Sequence, residues 1–220
     1  MKVIEIFKSI EGEGIRAGLP VTFVRLAGCN LRCEYCDTKY SYDEEAKHCK
    51  ILSVEEVVTQ VELMKTPFVT ITGGEPLVHD GICNLIGELL DIGCHVNVET
   101  NGTYPVPSQF ANSPDVIFTM DWKCPSSGMN DKMDMANIST LRSIDVLKFV
   151  VGSEEDLNEV IRVRDMWPAE RMRPSMFISP VFDKMVSSRI VFFMLEHELY
   201  DCRVQLQMHK FIWPPEMRGV

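Results

Sequence analysis

Three cysteines that fall within eight residues are the part of this sequence best suited to chemistry. They are Cys29, Cys33 and Cys36, in the stretch Cys-Asn-Leu-Arg-Cys-Glu-Tyr-Cys. Thiolates so close along the chain can converge on one metal centre without closing a long loop. A structural zinc site needs a fourth ligand, which His48 or Cys49 could supply. Three thiolates on a four-iron cluster instead leave one iron open for a small molecule, and the spacing favours this iron–sulfur centre.

A second candidate for ligand binding is the run Gly73-Gly74-Glu75-Pro76, which follows an apolar, β-branched stretch. Glycines lack a Cβ and let the backbone approach a ligand closely. A carboxylate such as that of Glu75 can accept hydrogen bonds from an ammonium group and orient it. An ordinary turn at the end of a strand is the alternative for the two glycines. The cysteine cluster favours ligand binding, because each motif supports the other.

The elements that must position these motifs follow from the hydrophobic pattern. Short apolar, β-branched runs predict strands and alternate with segments of helical spacing. The predicted strands are residues 21–27, 68–72, 94–98, 116–120, 146–151, 176–178 and 203–206, and the predicted helices are 53–64, 80–92, 153–166 and 187–199. This alternation predicts an α/β fold with a parallel sheet, in a single domain that spans residues 1–220. Ligands then bind beyond the carboxyl ends of the strands.

Composition and charge narrow the class of protein. Hydrophobic residues make up 45% of the chain and charged residues 25%, which is typical of a globular protein. The net charge of -10 argues against direct binding to nucleic acid or to an anionic membrane surface. Neither a signal peptide nor an apolar run of about 18 residues is present, so we expect a cytoplasmic protein. The five other cysteines are then expected to be reduced and to serve only in packing.

Both motifs resemble those of the radical S-adenosylmethionine enzymes, in which a Cys-x3-Cys-x2-Cys loop holds a 4Fe-4S cluster and a Gly-Gly-Glu-Pro run holds the methionine end of S-adenosylmethionine. The resemblance implies a radical SAM core, and it places Glu99 and Thr100 near the ribose of the cofactor. The residues that it assigns to cofactor binding are Tyr35, Cys36, Asp37, Gly74, Glu75, Asn101, Asp121, Trp122, Lys123 and Ser179.

A narrower resemblance covers essentially the whole chain. Residues 5–14, 23–25, 36–38, 121–129, 207–210 and 218–220 are similar to the 7-carboxy-7-deazaguanine synthases, whose fold is an incomplete, TIM-like (β/α) barrel. One departure is Glu11, where that family commonly has Gln. If the Glu11 side chain contacts the substrate, the amide donor is lost, whereas a backbone contact would be unaffected.

The narrower resemblance implies a lyase of the queuosine and 7-deazapurine pathway, one that converts 6-carboxy-5,6,7,8-tetrahydropterin to 7-carboxy-7-deazaguanine with loss of ammonia. A 5'-deoxyadenosyl radical would start the reaction at the pterin carbon that bears the carboxylate. It also implies a homodimer and an electron donor such as flavodoxin or ferredoxin. The substrate-binding residues would be Ile10, Glu11, Gly12, Glu13, Arg25 and Thr72, with Thr38 as a ligand of Mg²⁺.

Several alternatives stay open at this point. Arg25 could be a solvated surface residue, Thr38 a turn hydroxyl, and His209 a packing residue. The apolar segment 211–215 suits either a tail that closes the site or a subunit contact. A glycyl-radical-enzyme activase would share both motifs but act on a partner protein, and a noncatalytic zinc-binding module would bind metal without cleaving the cofactor.

Overall fold

One mixed sheet organises the chain in the computed structural model, which describes residues 1–214 and 217–220, and at positions 44 and 45 the backbone alone. Nine strands occur in these residues: β1 (Lys2–Ile10), β2 (Pro20–Leu26), β3 (Lys50–Ile51), β4 (Phe68–Gly73), β5 (His95–Thr100), β6 (Val116–Trp122), β7 (Val146–Val151), β8 (Ser175–Pro180) and β9 (Cys202–Val204). Their spatial order is β3-β1-β2-β4-β5-β6-β7-β8-β9. All neighbours from β2 to β9 are parallel, whereas β1 is antiparallel to both β2 and β3.

Helices connect most of the parallel strands. The described residues include α1 (Val54–Met64), α2 (Ile82–Asp91), α3 (Met135–Ile138), α4 (Glu154–Asp165), α5 (Ser187–Glu196) and α6 (His209–Ile212). Ser53 begins α1 with a capping box, in which its hydroxyl accepts from the Glu56 amide and the Glu56 carboxylate accepts from the Ser53 amide. At the start of α4, the Ser153 hydroxyl accepts from the Asp156 amide. These polar caps fix where the two helices start.

The two faces of the sheet differ in polarity because successive side chains of a strand point to opposite sides. The face that packs against the helices is apolar and buried, with Val69, Ile71, Val96, Val98 and Phe118 all fully buried. The opposite face carries the polar residues that alternate with them along the strands, namely Thr70, Thr72, Asn97, Glu99, Thr119, Asp121 and Lys148. A polar inner face is suited to binding a ligand rather than to forming a packed core.

The architecture confirms the predicted α/β class and the incomplete barrel, because the parallel strands end at β9 without closing on β2 in the described residues. All seven predicted strands are present, although β9 ends at Val204 rather than at residue 206. The prediction missed β1 and β3, the antiparallel edge of the sheet. Charges at Lys2, Glu5 and Lys8 interrupt the apolar pattern of β1, which pairs with β2 on one side and only two residues of β3 on the other.

Candidate active site at the carboxyl ends of the strands

A cavity of about 650 Å³ lies against the polar face of the sheet, at the carboxyl ends of the parallel strands. It gathers most of the residues that the sequence marks as functional, although they come from loops far apart along the chain. Those that line it are Ile10, Glu11, Gly12, Glu13, Arg25, Cys29, Cys33, Tyr35, Cys36, Asp37, Thr38, Thr72, Gly74, Asn101, Asp121 and Lys123. Glu99 and Thr100 line it as well.

The cysteine loop leaves β2 and forms one wall of the cavity. Cys29, Cys33 and Cys36 are free thiols of intermediate exposure, and the amide of Leu31 donates to Cys29 Sγ at 3.4 Å. No trio of His, Cys, Asp and Glu side chains among the described residues is placed to hold a single metal ion. A cubane cluster distributes its cysteine ligands over separate irons and does not need that convergence. Three thiolates beside open space are the donor set of a 4Fe-4S cluster with one open iron, whereas a structural zinc takes four protein ligands.

Gly73 and Gly74 bring the end of β4 into backbone contact with the start of the cysteine loop. The amide of Gly74 donates to Leu26 O at 3.1 Å, and the amide of Glu75 donates to Gly28 O at 2.8 Å. A Cβ on Gly73 would lie 2.1 Å from Leu26 O, and one on Gly74 would lie 2.0 Å from Gly28 O. No other residue type fits at either position, so the glycine pair positions the thiols as well as lining the cavity.

The Glu75 carboxylate lies behind the cavity wall and does not line it. It is fully buried and accepts from the Leu77 amide at 2.9 Å, from Thr100 Oγ1 at 2.8 Å and from the Asn101 amide at 2.6 Å. All its bonds are thus made within the protein. Two of its partners, Thr100 and Asn101, line the cavity, whereas Glu75 itself does not. The sequence suggested a direct contact with an ammonium group.

Trp122 and Ser179 also differ from their predicted positions at the ligand. The Trp122 indole points to the helical side of the sheet, is 2% exposed, and donates to Glu159 Oε1 at 2.9 Å. Its neighbour Asp121 faces the cavity instead, because side chains alternate along β6. Ser179 is on the inner face of β8 but is fully buried, and its hydroxyl has no hydrogen-bond partner among the described residues. Neither side chain lines the cavity as described.

A buried network of charges crosses the cavity floor. Lys148 pairs with Glu13 and lies 3.6 Å from Asp121 Oδ2, while Lys123 Nζ lies 2.9 Å from the same oxygen. Gln207 also donates to Glu13. Burial by itself raises the pKa of Glu13, but the charge and hydrogen bond of Lys148, together with His209 and the Gln207 hydrogen bond, hold the pKa below its ordinary value. Glu13 is therefore ionised and fixed in place.

Lys148 was not among the predicted site residues, although its position in the sequence indicates a role. A lysine within the otherwise apolar strand Val146–Val151 has no reason to be there unless its ammonium is paired inside the protein. His209 is a second residue without an assigned role that lines the cavity, where its ring packs against Gly12 so closely that a Cβ there would lie 2.5 Å from Nδ1.

The mouth of the cavity combines a paired guanidinium with an acidic side chain. Arg25 Nε donates to Glu5 Oε1 at 2.8 Å, and its remaining N–H groups have no hydrogen-bond partner among the described residues. Thr38 Oγ1 donates to Asp37 Oδ1 at 2.9 Å, and Lys210 Nζ lies 3.1 Å from Asp37 Oδ2. Trp213, Pro214 and residues 217–220 also line the cavity, so the described part of the carboxyl-terminal segment borders the site. Position 215 of the apolar segment 211–215 lies outside the described residues.

Comparison with known proteins agrees with this geometry. Residues 23–150 match the family model described as the radical SAM superfamily. The chain is 40% identical to the 7-carboxy-7-deazaguanine synthase of Clostridium acetobutylicum, over 100% of this chain and 99% of that protein. It is 42% identical to the synthase of the same name from Methanospirillum hungatei, over 98% of this chain and 86% of that protein.

Among solved structures, QueE from Escherichia coli superposes with a TM-score of 0.77 at 22% identity and covers 94% of each chain, which supports the same fold. The match to the radical SAM family disfavours a noncatalytic zinc-binding module. The relatives that match nearly the whole chain are named as synthases, which disfavours an activase. The chain is a radical SAM enzyme and belongs to the family of the 7-carboxy-7-deazaguanine synthases.

Proposed function

We propose that this protein converts 6-carboxy-5,6,7,8-tetrahydropterin to 7-carboxy-7-deazaguanine with loss of ammonia, a lyase reaction that leads toward queuosine and other 7-deazapurines. The observation that carries the proposal is identity of 40% with a synthase of that name over the whole chain. A cavity of about 650 Å³ with a polar floor has room for a fused heterocycle beside the cofactor.

The cofactors would bind at the wall that is formed by the cysteine loop and the strand ends beside it. Cys29, Cys33 and Cys36 would hold the cluster. When bound, the cluster and S-adenosylmethionine together supply the radical that starts the reaction. Tyr35, whose hydroxyl donates to Val150 O at 3.2 Å, and Asn101, which Glu75 fixes through its amide, are held rigidly beside this space. Of the other residues assigned to the cofactor, Cys36, Asp37, Gly74, Asp121 and Lys123 also line the cavity, whereas Glu75, Trp122 and Ser179 do not.

Substrate binding falls to the cavity floor and mouth. Beyond its bond to Glu5, Arg25 has N–H groups without a hydrogen-bond partner in residues 1–214 and 217–220, and a guanidinium binds a carboxylate well through paired donors. This supports its assignment to the pterin carboxylate. Thr38 would add a Mg²⁺ ion at the same carboxylate, since Mg²⁺ takes few protein ligands and keeps several waters. The other assigned substrate contacts are Ile10 at the end of β1, Glu11, Gly12 and Glu13 directly after it, and Thr72 on β4.

The assembly and cellular setting are also part of the proposal. We expect a homodimer in the cytoplasm that receives electrons from a flavodoxin or ferredoxin. Exposed apolar side chains on α5 support the homodimer, because Phe192 and Leu195 are 64% and 63% exposed. No helix among the described residues has both the length and the apolar character needed to cross a bilayer. Light scattering of the holoenzyme tests the dimer.

Anaerobic reconstitution tests the activity. Holoenzyme with S-adenosylmethionine, reductant, Mg²⁺ and the carboxytetrahydropterin is expected to form 5'-deoxyadenosine and the deazaguanine acid together. Arg25→Gln should raise the KM for the pterin, whereas Arg203→Gln, on the exposed surface of β9, should not change it. Deoxyadenosine that forms without the acid, or only when a partner protein is added, would refute the proposal.

A further inference from the structure

Glu11 is a buried acid at the floor of the cavity, with one oxygen held and the other available. Only 2% of the residue is exposed, yet it lines the cavity. Its backbone is fixed by bonds of 2.8 Å to Leu19 O and from the Gly18 amide. Thr70 Oγ1 donates to Glu11 Oε2. Oε1 has no hydrogen-bond partner among the described residues, so a ligand in the cavity can meet it.

The charges around Glu11 oppose its ionisation. Glu99 on β5 and Glu13 on the same loop are carboxylates that face it. Two cations lie within range, but Lys148 on β7 is paired with Glu13, and Arg16, two positions beyond Gly14, donates to the carbonyl of His95 at 3.0 Å. Burial, followed by the Glu99 and Glu13 charges, raises the pKa of Glu11 to about 8. Burial and these neighbouring carboxylates therefore favour the neutral carboxylic acid at neutral pH.

A neutral acid has a donor that a carboxylate lacks. With Oε2 accepting from Thr70, the neutral acid keeps this hydrogen bond when its proton is on Oε1, the oxygen without a partner among the described residues. The side chain therefore offers an O–H donor to the cavity. A pterin presents complementary acceptors in its lactam oxygen and ring nitrogens.

We propose that Glu11 binds the pterin as a neutral acid, with Oε1–H donating to an acceptor atom of the heterocycle, and that the enzyme loses affinity for the pterin when this carboxyl ionises. This inference rests on the proposed function, which identifies the ligand as a pterin. After ionisation, the lone pairs of the Glu11 carboxylate face the acceptor atom of the pterin, so the hydrogen bond between them is lost. Loss of this buried hydrogen bond weakens binding of the pterin about 10- to 100-fold.

The pH profile of kcat/KM for the pterin, with S-adenosylmethionine saturating, tests the inference. The wild-type value is expected to fall above pH about 8, toward a drop of 10- to 100-fold. Glu11→Gln cannot ionise, and its amide still accepts from Thr70 and donates to the cavity. Its profile should lack the alkaline limb, and its kcat/KM should exceed that of Glu11→Leu by about tenfold or more. A wild-type profile that stays flat to pH 9.5, or a Gln variant that keeps the limb, would overturn the inference.

Thr70→Val supplies a variant that leaves Glu11 itself intact. The Thr70 hydroxyl favours the ionised carboxylate and so lowers the pKa of Glu11. Removal of the hydroxyl at constant shape should move the alkaline limb to higher pH. An unmoved limb would assign the titration to a different group.

Infrared spectroscopy separates this inference from the proposed function. A protonated carboxyl absorbs apart from a carboxylate, so the wild-type protein should lose one carboxyl band near pH 8 that Glu11→Gln does not show. This readout needs neither cofactor nor substrate. A protein that shows the band but never forms the deazaguanine acid would refute the proposed function and leave the protonation of Glu11 standing, whereas absence of the band would refute the inference alone.

Discussion

The amide of Asn101 donates to Glu75 Oε2 at 2.6 Å and joins the turn after β4 to the turn after β5. The other carboxylate oxygen of Glu75 accepts from the Leu77 amide and from the Thr100 hydroxyl. Three donors thus converge on two oxygens of one buried side chain. This arrangement holds the ends of β4 and β5 together. Asn101 also donates to Asn30 of the cysteine loop at 2.9 Å.

Glu75→Gln should disturb this arrangement, because an amide cannot accept on both sides. Its NH2 group must face either the Asn101 amide or the donors at Leu77 and Thr100. We expect a loss of about 1–3 kcal/mol in the free energy of unfolding and a higher Kd for S-adenosylmethionine. Urea titration and equilibrium binding measure the two effects. Glu88→Gln on the exposed face of α2 is the control, and equal effects of both variants would contradict the positioning role.

Gly74→Ala should displace the cysteine loop. Its Cβ would lie 2.0 Å from Gly28 O and 2.9 Å from Cys29 Cβ, so the backbone must move. We expect a loss of about 1–3 kcal/mol in the free energy of unfolding and incomplete iron loading. Gly87→Ala is the matched control, since Gly87 lies in α2 and an added Cβ meets nothing within 4 Å. That variant should gain up to about 1 kcal/mol. Normal iron content in the Gly74 variant would contradict the packing argument.

Cys33→Ala should abolish the iron–sulfur centre, because one iron of the cubane loses its protein ligand. The visible absorbance and the iron content of anaerobically reconstituted protein measure the loss. Cys83→Ala on α2 is expected to load normally, since that thiol does not line the cavity. Circular dichroism should be the same for both variants. A brown, fully loaded Cys33→Ala protein would remove Cys33 from the ligand set.

The sequence was sufficient to predict the parallel strands, the helices and most of the cavity lining, because local pattern and motif spacing carry that information. The hydrophobic pattern does not show which groups a polar side chain is hydrogen-bonded to. The motif assigned Glu75 to the cofactor, and the pattern did not show that its carboxylate accepts from the amides of Leu77 and Asn101 or that it does not line the cavity. Trp122 and Asp121 are adjacent in sequence but face opposite sides of β6. Strand alternation would have separated this pair had the strand been extended beyond residue 120.

Lys148→Met should destabilise the protein, because Glu13 would be left buried without its cation. We expect a loss of about 3–5 kcal/mol in the free energy of unfolding. In the wild type the pKa of Glu13 is depressed, so its contribution is present above the ordinary value of 4.5 and is lost as pH falls through the depressed pKa. Without Lys148 burial dominates, the pKa rises, and stability should decline as pH increases instead.

Urea unfolding from pH 3 to pH 8 measures this change as the difference in stability between the Lys148 variant and the wild type at each pH, which sets aside the pH dependence that other groups give to both proteins. Lys132→Met is the control, since its ion pair with Asp131 is exposed and should contribute less than about 1 kcal/mol. Adding Glu13→Gln to Lys148→Met should recover part of the loss. Additive effects of the two substitutions would show that the residues are not energetically coupled.

Glu11→Gln should change how stability depends on pH, independently of any substrate. The folded-state pKa of Glu11 is about 8, above its ordinary value of 4.5, so folding takes up a proton between these values. The stability that Glu11 contributes is therefore complete below pH 4.5 and is lost as pH rises through about 8. Within that window the wild-type free energy of unfolding should fall, through Glu11, by up to about 1.4 kcal/mol per pH unit relative to the Gln variant.

Parallel urea titrations at pH 5, 6.5 and 8 measure the difference, with Glu88→Gln as the exposed control. Parallel stability curves for the wild type and Glu11→Gln would mean that Glu11 is already ionised at neutral pH.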